Sequence, residues 1–277
     1  MKRAGILGRS SLWLGLLFLY LPMAVLVVFS FNSSRLVTVW AGFSTRWYLE
    51  LIHDHQIINA LMLSLRVAFM AATAATLLGL AAGAALVRSG RFKGRGLLAA
   101  LLIGPLVIPE VIMGLSMLLL FMALAQLTGW PSERGALTIW IAHVTFCTAY
   151  VAAIVTGRLS EMDRFQEEAA MDLGATPLAV FRSITLPALA PALIAGWLLS
   201  FTLSFDDLVV SSFVTGPGAS TLPIVIFSSV RLGVSPKINA LAALLILAVT
   251  GGTLGAWWLS HRFARRTRSE RLGADGQ

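Results

Sequence analysis

Six stretches of this chain, at roughly 11–31, 58–87, 97–127, 136–158, 188–214 and 238–260, are apolar almost without interruption. A helix needs about 20 such residues to cross a hydrocarbon core of about 30 Å. Only helices and closed barrels satisfy every backbone polar group in lipid. The alternation that marks barrel strands is absent from these runs. The expected fold is therefore all-α, a polytopic transmembrane bundle of about six helices forming a single membrane domain over 1–277. Only 12% of the residues are charged and 57% are hydrophobic, where a soluble domain carries about 25% charged residues. Met1-Lys2-Arg3 ahead of the first run looks like the start of a signal peptide, but the run is too long and no A-x-A site follows. It reads as an uncleaved helix.

Charge sets the expected orientation. The net charge is +8, and the basic residues flank the apolar runs. That placement points to topology and anionic lipid, with no nucleic-acid partner. With the N-terminus inside, fifteen Lys and Arg fall on the cytoplasmic side, among them Lys2, Arg3, Arg9, Arg88, Arg91, Lys93, Arg95, Arg158, Arg164 and Arg182. Five fall outside: Arg35, Arg46, Arg134, Arg231 and Lys237. Both termini are thus expected in the cytoplasm, and the basic tail from His261 to Arg271 beside anionic lipid. The second run is crowded with small residues (Ala71, Ala72, Ala74, Ala75, Gly79, Ala81, Ala82, Gly83), which let helices approach closely. The one cysteine, Cys147, excludes an intramolecular disulfide.

The segment between the fourth and fifth runs, about 159–187, is longer than a connector needs to be. Phe165, Ala169, Ala170 and Leu173 recur near helical spacing, while Glu161, Asp163, Glu167, Glu168 and Asp172 supply charge. The pattern predicts a short amphipathic helix. Gly174 is placed to end it by taking positive φ. Thr176-Pro177 is placed to open a second helix, with Thr as cap and Pro at its first position. A helix–Gly–helix unit lying on the membrane face is a surface on which a partner could dock.

Three acids lie deep in apolar runs: Glu110, Asp206 and Asp207. Such groups are costly in lipid and face a cavity or a partner. Glu110 follows Gly104-Pro105 and Pro109, where missing N–H groups interrupt the helix. Its position in the run puts it beyond the midplane, facing either a polar path or a hydrogen-bonding neighbour. Asp207 shares a helical face with Ser200, Ser204 and Ser211, and Asp206 points about 100° away. Asp207 is therefore the expected pathway residue, and Asp206 faces the path edge or a partner subunit. Acids on a path suit a cationic substrate, to which Trp197, Phe201 and Phe205 could add cation–π contact.

Glu168-Ala169-Ala170, Gly174 and Ile184-x-Leu186-Pro187 stand at the spacing of the EAA motif. The chain resembles the permease subunits of bacterial ABC importers in every fixed position of that motif. Phe43-Ser-x-x-Trp47-Tyr48, Pro109-Glu110-Val111-Ile112, Ala142-His143-Val144-Thr145-Phe146, Phe205-Asp206-Asp207 and Phe213-Val214-Thr215-Gly216-Pro217-Gly218 are similar to segments of polyamine importer permeases, of the putrescine type in particular. The resemblance implies a type I importer permease in the bacterial inner membrane. It implies that Glu168, Ala169, Ala170, Asp172 and Gly174 couple the chain to an ATPase, and that Glu110, Asp206, Asp207, Ser204 and Ser211 line the substrate path. The implied partners are a second paralogous permease subunit, an ATPase dimer, a periplasmic polyamine-binding protein and membrane lipid. The implied cofactors, ATP and Mg, belong to the ATPase, and none is bound by this chain.

Two rival classes remain in view. An ion-coupled transporter of cations would use the acids as proton sites, but it predicts inverted repeats that are not evident, and it leaves the EAA loop unexplained. An ABC permease for another substrate is the nearer alternative. A membrane enzyme is disfavoured: His53-x-His55 is a short surface pair, His143 and His261 are isolated, and no G-x-x-x-x-G-K-[ST] segment occurs.

Overall fold

The computed structural model describes residues 6–36, 39–232 and 235–274. Lys2 and Arg3 lie outside the described residues, as do the side chains of the tail from His261 to Arg271. The described residues are helical, apart from loops and an isolated bridge between Asn32 and Phe43. The helices are α1 (Ile6–Phe29), α2 (Arg46–Ile52), α3 (His55–Arg88), α4 (Arg95–Val107), α5 (Glu110–Thr128), α6 (Ala136–Glu161), α7 (Phe165–Asp172), α8 (Pro177–Val180), α9 (Leu186–Phe205), α10 (Val209–Val214), α11 (Leu222–Leu232) and α12 (Pro236–Ala274). Six of the described helical stretches are long and apolar enough to cross a membrane: Gly8–Phe29, His55–Arg88, Glu110–Thr128, Ala136–Glu161, Pro177–Phe205 and Pro236–Gly255. The all-α, six-span expectation holds.

The chain divides into two compact units, residues 1–55 with 228–277, and residues 56–227. In the first unit, α12 packs against α1 and α2. Its loop is organised by the buried Asn32. The Asn32 amide donates to the Val39 carbonyl at 2.7 Å, and its oxygen accepts from the Ala41 N–H at 3.0 Å. Trp47 is buried, and its indole N–H donates to the Asn32 carbonyl at 2.6 Å. Trp47 is thus a core residue of this unit, whereas Trp40 remains exposed. Lys237 pairs with Asp54 at 2.9 Å.

The second unit is built around α6. Over its membrane window 56% of residues are buried, against at most 28% in the other spans, so α6 is the central helix. It packs on α9 and α4, while α5 packs on α10. The small residues of α3 account for a close helix crossing. Ala68, Ala71, Ala72, Ala75, Gly79 and Gly83 are buried, about one per turn, whereas Ala81 faces outward. A Cβ on Gly79 would lie 2.6 Å from the Val151 Cβ, and one on Gly83 would lie 2.8 Å from the Val155 Cγ1.

Two of the expected continuous spans are interrupted. The run at 97–127 is two helices, α4 and α5, separated at Ile108–Pro109. Ile108, ahead of proline, is extended (φ −74, ψ 131), because the proline ring disfavours the helical region for the residue before it. Glu110 consequently sits in the first turn of α5 rather than in mid-helix, where the helix dipole favours a carboxylate. The run at 188–214 breaks at Asp206–Leu208, so the serine–aspartate stripe does not lie on one helix.

Overpacking the seam tests this packing. Gly79→Leu should lower stability by about 1–3 kcal/mol, read as a drop in the melting temperature of detergent-solubilised protein. Gly157→Ala, where a Cβ meets no heavy atom within 4 Å, should leave stability unchanged or raise it by about 0.5–1 kcal/mol.

Candidate functional site

The break between α9 and α10 is built by Asp207. Its Oδ1 accepts from the Val210 N–H at 3.2 Å and its Oδ2 from the Ser211 N–H at 2.7 Å. These bonds satisfy donors at the start of α10 that have no partner within their own helix. Opposite stands His143, buried in the N-terminal third of α6. Its Nε2 lies 3.1 Å from Asp207 Oδ2 and 3.0 Å from Ser211 Oγ, and its Nδ1 lies 2.6 Å from Ser204 Oγ. With Asp207 ionised, the proton belongs on Nε2, and Ser204 donates to Nδ1. One imidazole therefore clasps α9, the break and α10. Of the stripe deduced from helical periodicity, Ser204, Asp207 and Ser211 converge across a break and around a histidine, whereas the Ser200 hydroxyl is buried without a partner among the described residues.

Asp206 is placed differently. It ends α9, is exposed, and no donor from another described residue reaches its carboxylate. Asp206 and Asp207 nevertheless line one cavity of about 250 Å³, together with Glu110, Phe146, Tyr150 and Leu203. Glu110 is likewise exposed. Of the three acids, Asp207 spends both oxygens on the protein, while Glu110 and Asp206 are open. The aromatic residues at the cavity are Phe146 and Tyr150 of α6. Trp197, Phe201 and Phe205 instead stack along α9, with centroids 5.4 and 6.0 Å apart. Among the described residues no group of three His, Cys, Asp or Glu converges as a metal set.

The loop at 159–187 forms the helix–Gly–helix unit. Gly174 takes φ +90, with the Gly174 N–H bonded to the Met171 carbonyl and the Ala175 N–H to the Ala170 carbonyl. This pair of bonds is the Schellman ending, which requires a left-handed residue at that position. Thr176 accepts from the Ala179 N–H, and Pro177 opens α8. A π-helical turn, Phe181–Thr185, leads into α9. Glu168, Ala169 and Asp172 are exposed and Ala170 is half-buried. Phe165, Leu173 and Leu178 are also exposed, Leu173 at 91%. Such apolar side chains on a polar loop are the mark of an uncovered contact surface.

His143 was missed by reasoning from sequence as a site residue because its neighbours are Val, Ala and Phe, and its partners lie over sixty residues away. The available signal was an ionisable side chain in an otherwise apolar span, which predicts a polar partner. Replacing it should leave Asp207 and Ser204 short of a partner. His143→Leu is expected to cost about 1–3 kcal/mol in a thermal melt of the solubilised protein. Thr145→Val, which removes only a bond to its own helix, should shift stability by less than about 0.5 kcal/mol.

Comparison with known proteins gives a consistent picture. Residues 75–269 match the model of the binding-protein-dependent transport system inner membrane component. The putrescine transport system permease protein PotI of Escherichia coli strain K12 is 62% identical over 91% of this chain and 89% of its own length. The spermidine/putrescine transport system permease protein PotC of the same strain is 44% identical over 83% of this chain and 84% of its own. Among solved structures, a bacterial ABC transporter involved in the import of the acidic polysaccharide alginate superposes with a TM-score of 0.69, covering 90% of this chain and 92% of its own, at 16% identity. The MetNI methionine ABC transporter gives 0.59, covering 72% of this chain and 92% of its own, at 18% identity. These last two speak to fold alone. With the motif, the six spans and these matches in hand, the chain belongs to the inner-membrane permease components of binding-protein-dependent ABC transport systems, a multi-pass and non-catalytic subunit.

Proposed function

We propose that this chain is the transmembrane subunit of an ATP-driven importer that carries polyamines, putrescine and/or spermidine, across the inner membrane by alternating access. The observation that carries the substrate assignment is the single cavity lined by Glu110, Asp206 and Asp207. A cation leaving water must have its hydration replaced, and buried charge is tolerated only when paired. Glu110 and Asp206 present two open carboxylates, which matches a chain bearing an ammonium at each end. Phe146 and Tyr150 add aromatic surface for the cation and its methylene chain. Asp207, Ser204 and Ser211 hold the break that puts Asp206 at this cavity. The names of the two relatives, putrescine and spermidine/putrescine permeases, support the same class.

Membership in the family supports the remaining parts of this reading, and the bias of Lys and Arg supports the orientation. A periplasmic polyamine-binding protein delivers the substrate, and a second paralogous permease subunit completes the path. An ATPase dimer, holding ATP and Mg, docks on Glu168, Ala169, Ala170, Asp172 and Gly174. The termini lie in the cytoplasm. Family membership also disfavours the ion-coupled and enzymatic readings, since neither accounts for the EAA loop.

Two experiments test this function. Radiolabelled putrescine uptake into membrane vesicles should fall by about ten-fold or more, the weight of ~1.4 kcal/mol, in both Glu110→Gln and Asp206→Asn. Wild-type uptake in both variants would remove the cavity from the path. Gly174→Asp places a side chain at positive φ, costing about 1–2 kcal/mol, and adds charge to the docking surface. It should abolish stimulation of the ATPase by substrate-loaded binding protein; full stimulation would refute the docking assignment.

A further inference from the structure

Helix α7 turns its large apolar side chains outward, so its grip on the second unit is polar, and Glu167 stands at the centre of that grip. Glu167 Oε1 accepts from Arg88 Nη2 at 3.0 Å and from Thr185 Oγ1 at 2.8 Å. Arg88 is the last residue of α3, and Thr185 closes the π-helical turn that enters α9. Just before α7, Arg164 donates to the Val87 carbonyl at 2.6 Å. One carboxylate oxygen thus ties α7 to the ends of two long helices. The pair is largely withdrawn from solvent, with side chains 20% and 15% exposed, and Thr185 is buried.

Beside this link lies a cavity of about 420 Å³ that Glu168 and Met171 also line. Nε and Nη1 of Arg88 are buried and lack an acceptor in this conformation. An ion pair of this kind is weak evidence for stability. Its use lies in direction: bonds of fixed length pass on a displacement that an apolar contact would let slide. The spare donors of Arg88 and the open space beside them leave room for α7 to shift without leaving the guanidinium stranded.

We propose that Glu167, with Arg88 and Thr185, is the joint that passes movement of α7 into α3 and α9. Glu167 is in this sense a positioning residue, separate from the exposed docking face of Glu168 and Asp172. The proposal rests on the reading of the loop at 159–187 as the ATPase-coupling element.

The test uses the whole complex in liposomes and measures putrescine taken up per ATP hydrolysed, together with the amount of ATPase that co-purifies. In Glu167→Gln and Arg88→Gln the ratio should fall by about ten-fold, within the range of ordinary coupling free energies, with the ATPase still bound. The exchange R88E/E167R should recover much of the loss. Wild-type ratios in both single variants would overturn the joint, and so would an exchange that restores nothing. Loss of the ATPase from Glu167→Gln would assign the residue to docking and also overturn it. If the charge variants fail to assemble, Thr185→Val decides, since it removes one arm at nearly constant volume. A reduced ratio there supports the joint and an unchanged one sinks it. The docking reading is judged separately, by whether the unaltered chain retains the ATPase and Gly174→Asp uncouples it.

Discussion

Inside a bilayer every backbone N–H and C=O must find a partner within the protein, and that constraint governs where this fold can depart from helix. Each departure in the second unit has a visible solution. At Ile108–Pro109 proline removes a donor, and the Pro109 carbonyl accepts from the N–H groups of Ile112 and Met113 at 3.0 and 3.2 Å. At Asp206–Leu208 the Asp207 carboxylate takes the first donors of α10, and His143 holds that carboxylate from α6. Both breaks open onto the same cavity. A polar cavity within an apolar bundle is thus a product of interrupted helices, and the residues that stabilise the interruptions are distinct from the carboxylates left open.

The two adjacent aspartates differ in how their oxygens are bonded. Periodicity favours Asp207 as the group on the path, because it continues a serine stripe. Its oxygens are committed, however, to two backbone donors and an imidazole. Asp206, at the C-terminal end of α9, keeps its carboxylate free of such bonds. Desolvating a second, unpaired carboxylate is costly, so the open acids sit at the cavity edge while the bonded one is buried.

The loop at 159–187, which we propose as the ATPase-docking element, repeats this logic at a second surface. Its outward face is built from exposed Phe165, Leu173 and Leu178, which gain from being covered. Its inward side is held by Glu167, Arg164 and Arg88. Directional polar bonds thus hold this small helix to α3, whose small residues pack it closely against α6.

Much of this was legible in the residues alone. Length and hydropathy dictate the six spans, because a helix has a fixed rise and the hydrocarbon a fixed thickness. The helix–Gly–helix loop was legible because capping by Thr176, Pro177 and Gly174 is local chemistry over a few residues. Small residues announced a close helix seam, though not which of them would face it: Ala81 turns out and Gly79 in. The sequence also marked Glu110, Asp206 and Asp207 as costly and therefore purposeful. It did not reveal that His143 joins Ser204, Asp207 and Ser211, nor that Glu167 reaches Arg88. Those pairs are separated by more than sixty residues, and a hydrogen bond is decided by which helices lie side by side. Hydrophobicity and caps are properties of a segment, and the sequence by itself determined them. Which acid is bonded within the fold and which is left open depends on neighbours brought together by packing, and only the tertiary structure decided it.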